Sequence, residues 1–149
     1  MPATPEDGGL DLLFPLDLLH AADGVPLPQV ERVDGAAVPE PYRELLVHER
    51  DMTPTLARFH DDAIGLRVTV RESDGDTMLR EVVLVRSRDS RPVEFGAILI
   101  HLARFEPAAR ADVVGCRIPL GTILAAHRVA HRSCPQAFVR VRSCPLIDD

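Results

Sequence analysis

The chain has 149 residues, 17 basic against 23 acidic, a formal net charge of −6 and a 46% hydrophobic composition. This length fits one domain of about 100–200 residues with a core large enough to enclose a pocket, and the acidic balance argues against a nucleic-acid binder held by bulk charge. No apolar run nears the ~20 residues of a membrane span, and the opening MPATPEDGG lacks a charged-then-apolar leader, so the expectation is a single cytoplasmic domain over residues 1–149 that engages neither nucleic acid nor membrane.

Residues 1–9 are polar, with Pro and Gly, and are expected to be mobile. Residues 10–19 (LDLLFPLDLL) form an apolar run broken by Pro15, with Asp17 placed to cap a short helical turn. Residues 21–39 make a long connection over the body, with a short strand at 29–33. Residues 41–48 read as a helix, because Tyr42, Leu45 and Leu46 fall at i, i+3 and i+4. Asp51 can cap a second helix, Met52–His60, whose first turn tolerates Pro54 and whose Met52, Leu56 and Phe59 share a face.

The period then drops to two. Ile64, Leu66, Val68 and Val70 alternate with Gly65, Arg67, Thr69 and Arg71, a strand with one wet face. Asp74-Gly75 signals a tight turn, and residues 78–86 (MLREVVLVR) are apolar on both faces, as a central strand is. After Asp89-Ser90-Arg91-Pro92, residues 93–101 return as a third strand, which makes an antiparallel meander. Residues 107–114 and 119–127 read as short helices opened by Pro. Residues 129–132 and 136–143 read as closing strands; on the last, Ala137, Val139 and Val141 face one way, and Phe138, Arg140 and Arg142 the other. The class is α+β, an antiparallel sheet with helices packed against it.

All 17 basic residues are Arg, so catalysis through a Schiff-base lysine or a Walker lysine is excluded. The planar guanidinium fork suits carboxylates, and the inventory fits a small carboxylic acid ligand; genome bias toward Arg and Ala accounts for most of these residues. Cys116, Cys134 and Cys144 give no disulfide framework and are expected as small buried hydrophobes.

Arg80 is the most informative position. It shares a face of its strand with Met78, Val82 and Leu84, while Glu81 sits among Leu79, Val83 and Val85 on the other. A charge on each face of a core strand must be paired or solvated. Either Arg80 belongs to a structural ion pair or the sheet margin, or it holds a ligand carboxylate bidentately. Glu94, on the next strand, is a general base, a polar partner for Arg80, or a solvated side chain; Gly96 marks a close backbone approach or a bulge, and His101 is expected at the surface. His127, His131 and Cys134 spell H-x3-H-x2-C, but Val129 and the Ser133–Pro135 turn break the helix that would align them as zinc ligands, so no metal is expected. No phosphate loop or nucleophile elbow is present, and six aromatics are too sparse for base stacking.

Four segments in order, RDMTPTL (50–56), MLREVVLV (78–85), PVEFGAILI (92–100) and IPLGTIL (118–124), resemble the chorismate pyruvate-lyase family, the 4-hydroxybenzoate synthases. The stretch VPEPYRELLVHERDMTPTL looks closest to the actinobacterial and archaeal branch, and the resemblance covers about residues 38–143. It implies an antiparallel sheet whose helices close over an enclosed pocket, conversion of chorismate to 4-hydroxybenzoate and pyruvate, and no metal or organic cofactor. It implies that Arg80 grips the ring carboxylate, that Met52 and Leu120 wall the pocket, and that Thr53 and Gly121 lie beside them. One departure stands out: where the ubiquinone-pathway branch carries a Glu in the final strand, this chain has Arg140, or Arg142 if the alignment shifts by two, and Ala97 stands where that branch has an arginine. Arg140, or Arg142 in its place, then replaces the acid as a donor to the ether oxygen or second carboxylate. Otherwise the arginines face solvent, or the fold serves another acid or a polyketide intermediate, or binds an acid without turnover.

Overall fold

The computed structural model of the protein describes residues 12–24 and 26–142. The alternating segments form β2 (Ile64–Ser73), β3 (Thr77–Arg86) and β4 (Pro92–His101), an antiparallel meander with β3 in the centre. The β2–β3 connection is longer than a two-residue turn. The Asp74 carboxylate accepts the N–H groups of Asp76 at 3.1 Å and Thr77 at 2.8 Å, an Asx-turn, and Gly75 sits at φ +97°, where a side chain would be strained. A bulge between Val68 and Val70 breaks the β2–β3 register. Thr69, within it, donates to Glu81 Oε1 at 2.7 Å, which partners the charge on the half-wet face of β3.

The other face of β3 is dry, with Met78, Arg80, Val82 and Leu84 all buried. At one end of this face, α4 (Pro107–Gly115) and α5 (Leu120–Ala126) pack with Met78, Ile100 and Leu102 into the core, where Ala109, Val113 and Ile123 are almost inaccessible. Past Arg80 and its neighbour Ile98, the same face continues as Val82, Leu84, Gly96 and Glu94 and becomes the floor of a cleft. The helices α2 (Tyr42–Leu46) and α3 (Met52–His60) flank it, and α3 packs on α5 and α2.

Some expectations change. The first helix, α1 (Leu16–Asp23), is capped at Pro15, so Asp17 lies inside its first turn. Asp51 does occupy the N-cap of α3 but makes no capping bond there. The buried face of α3 is Thr55 and Leu56, and Phe59 is 42% exposed. Residues 129–132 form no strand. The Val129 N–H donates to the Leu124 carbonyl at 2.9 Å, Arg128 turns through φ +51°, and the Val129 carbonyl accepts from His131. Those backbone groups close α5 and are unavailable to a ladder. The final strand is β5 (Phe138–Val141), shorter than expected, and it pairs antiparallel with β1 (Val30–Val33) in a ribbon of its own, not hydrogen-bonded to the sheet. Cys116 is half-buried and packs against the core, whereas Cys134 is exposed and not the buried hydrophobe expected. Residues 1–9, Ser143 and Cys144 lie outside the described residues. Among the described residues no helix is long and apolar enough to cross a membrane.

Candidate functional site

The cleft has a volume of about 1260 Å³, above the roughly 300–1,000 Å³ usual for small-molecule sites. It is a half-open cleft among the described residues. Leu66, Arg80, Val82, Leu84, Glu94 and Gly96 supply the floor, the starts of α3 and α5 one wall, and the β1–β5 ribbon with its flanking loops another. Met52, Thr53, Leu120, Gly121 and Arg140 all line it. Arg142 does not: it follows β5, exposed, with its backbone N–H on the Gln29 carbonyl.

Arg80 is the dominant electrostatic feature. It is 2% exposed, in the middle of the central strand, so it is neither solvated nor at a sheet margin. Its Nη1 lies 3.7 Å from Cys116 Sγ, and its Nε is buried with no partner. No carboxylate among the described residues pairs with it, which overturns the structural ion-pair reading. A buried charge without a counter-charge costs several kcal/mol, and an anion bound in the cleft would offset that cost.

Glu94 sits directly across from Leu84, and Arg80 across from Ile98. Four residues along β3 separate them, about 13 Å at ~3.3 Å per residue, with Val82 and Gly96 between. Glu94 is therefore no partner for Arg80, and it is half-buried rather than fully solvated. Its Oε2 is buried and unpartnered, and burial pushes its pKa up to about 7. The floor thus carries a fixed cation toward one end and a largely protonated acid toward the other below neutral pH. Arg50 and Arg132 also line the cleft, with Arg140 exposed at its rim, against only Asp51 and Glu94 as acids. A chain of net charge −6 thus places more arginines than acids around this cleft.

Gly121 is there for a close approach. A Cβ at this position would lie 2.9 Å from Thr53 Oγ1 and 3.0 Å from Thr53 Cβ, so the start of α5 seats against α3 only without one. Gly121→Ala is expected to destabilise the fold by about 1–3 kcal/mol, as overpacking does, and Thr53→Gly in the same chain to recover part of that loss. Thermal unfolding of the two single variants and the double variant checks this, and strictly additive effects would show that the contact carries no strain.

A polar clasp holds the loop after α5 to the start of α3. Ser133 Oγ donates to Asp51 Oδ1 at 2.5 Å, and His131 Nε2 donates to Asp51 Oδ2 at 2.6 Å. His131 Nδ1 faces the Val129 carbonyl at 2.8 Å. Both ring nitrogens meet acceptors, so the imidazolium is favoured: the Val129 carbonyl first, then Asp51, raises the His131 pKa. The Ser133 hydroxyl, and then His131, lowers that of Asp51. Ser133 gives its proton to Asp51 and not to His131, so the trio is no nucleophilic triad. His127 bonds Asp112 at 2.7 Å instead, and with Cys134 these residues do not converge on a metal site; no group of three or more metal-ligating side chains occurs among the described residues.

The clasp has a working pH window. The raised pKa of His131 contributes stability that is complete below 6.5 and is lost as pH rises through its folded value. The lowered pKa of Asp51 contributes stability that is complete above 3.8 and is lost as pH falls through its folded value. Amide exchange over residues 128–136, corrected for its intrinsic pH dependence, is expected to be slowest between these limits. Asp51→Asn should flatten the profile; an unchanged profile in that variant would contradict the clasp.

No protein-family model, no curated protein and no solved structure matches this chain.

Proposed function

We propose that the protein is a cofactor-independent carbon–oxygen lyase that converts chorismate to 4-hydroxybenzoate and pyruvate. The observation that carries this reading is the buried, unpaired Arg80 in the floor of the cleft, a guanidinium that lacks only a carboxylate. The four-segment resemblance supplies the identity of the acid. All four segments contribute lining residues, among them Met52 and Thr53 of the first, Arg80 and Val82 of the second, Glu94 and Gly96 of the third, and Leu120 and Gly121 of the fourth.

In this reading Arg80 holds the ring carboxylate, with Met52 and Leu120 against the ring. The ring carbon–oxygen bond to the enolpyruvyl group breaks, the neighbouring ring carbon loses its hydrogen, and the ring becomes aromatic. Aromatisation supplies the driving force, so the protein orients the substrate and stabilises charge on the departing oxygen.

The test is incubation with chorismate, following pyruvate and 4-hydroxybenzoate together. Equal amounts of both above the spontaneous background, lost in Arg80→Ala, are expected. Folded protein without turnover would refute the reading. The cleft's volume and the exposed Arg140 in the final strand favour a second reading, a lyase-like fold serving a larger carboxylic acid or polyketide intermediate. Tight binding of such an acid with none of chorismate would select it.

A further inference from the structure

The floor of the cleft holds a second, half-buried polar group that carboxylate binding leaves unused. Glu94 projects from the same sheet face as Arg80, beyond Val82 and Gly96. Gly96 keeps the space between them clear: a Cβ there would meet only Glu94 Oε1, at 3.7 Å. Among the described residues no arginine, histidine or backbone donor holds the Glu94 carboxyl group, and its Oε2 is buried without a partner. In the final strand Arg140 is exposed and offers no acid.

We propose that Glu94, resting on the lyase reading above, is the catalytic acid that protonates the departing enolpyruvyl oxygen. The Glu94 carboxyl proton passes to the ether oxygen as the ring carbon–oxygen bond breaks, releasing enolpyruvate. The hydrogen lost from the adjacent ring carbon leaves as a proton and, through solvent, restores the Glu94 carboxyl. Enolpyruvate then ketonises to pyruvate, so atoms and charge balance with no oxidant or metal. A neutral acid suits this end of the cleft, because a carboxylate there would repel a dianionic substrate. Burial keeps Glu94 largely in that neutral form below about pH 7. A buried carboxyl raised by its apolar surroundings is a recurring form of general acid.

The experiment measures kcat and KM for chorismate from about pH 5 to 9 in wild type, Glu94→Gln and Glu94→Asp, with 4-hydroxybenzoate affinity measured by calorimetry. Wild-type kcat is expected to fall as pH rises through about 7. Glu94→Gln should lose about 10²–10⁴-fold in kcat, lose that pH limb, and bind 4-hydroxybenzoate within a few fold of wild type. Glu94→Asp, which keeps the acid, should retain part of the rate. Glu94→Gln with wild-type kcat and an unchanged pH limb would overturn the acid while leaving the lyase intact. Loss of affinity and rate in equal proportion would also overturn it, since the residue would then only bind. Wild type without turnover would remove the lyase reading and this role with it.

Discussion

Arg80→Met is expected to make the ligand-free protein more stable while abolishing its response to carboxylate ligands. The side chain is buried in the central strand beside Met78 and Cys116 and has no counter-ion among the described residues. Replacing buried charges by apolar groups of similar size gains about 1–4 kcal/mol in other proteins. Methionine is unbranched and adapts to irregular gaps, and the sulfur-lined surroundings suit it. At ~2–4 °C per kcal/mol for a domain of this size, the midpoint of thermal unfolding rises measurably. A structural arginine would behave in the opposite way. If Arg80→Met unfolds at a lower temperature than wild type, the guanidinium is held by the protein itself and the case for an anion site fails.

Glu94 should make the ligand-free protein lose stability as pH rises from about 4.5 to about 7. Its pKa is raised from 4.5 to about 7 by burial, so across that interval the folded state binds the proton and the unfolded state does not. Stability is then highest below the lower value and declines to a plateau above the upper one. At about 1.4 kcal/mol per pKa unit, the total is on the order of 3 kcal/mol. Denaturant unfolding at a series of pH values reads this slope directly. Glu94→Gln should remove it and keep near pH 8 the stability wild type has only in acid. The decline above 6.5 that belongs to His131 should survive in that variant. A slope that persists in Glu94→Gln would assign it elsewhere.

Both predictions depend on the half of the sheet face that no core helix fills, and much of that arrangement was legible in the sequence. The meander could be read because its signals are local: a period of two, Asp74-Gly75 at one turn and Asp89 to Pro92 at the other. The limits of α3, and the starts of α4 and α5 to within a residue, followed from their prolines and flanking polar residues. Arg80 drew attention as a charge on a core strand, and its face-mates placed it correctly. Its lack of a partner was not legible, because an ion pair with any of 23 acidic residues had been equally open. Residues 129–132 misled because so short a segment does not show where its backbone hydrogen bonds go. The β1–β5 ribbon and the Asp51–His131–Ser133 clasp join segments about 80–110 residues apart, and no local spacing encodes such a meeting. His131 drew notice for a metal spacing, whereas its role here is to hold the loop against α3.

In the proposed function Arg80 receives a carboxylate in the cleft. This is tested most directly by calorimetric titration of 4-hydroxybenzoate into wild type and Arg80→Met, both shown to be folded. Saturable single-site binding to wild type, weakened at least a hundredfold in Arg80→Met, is the predicted result. Equal binding to the two proteins, or binding to neither, would contradict it.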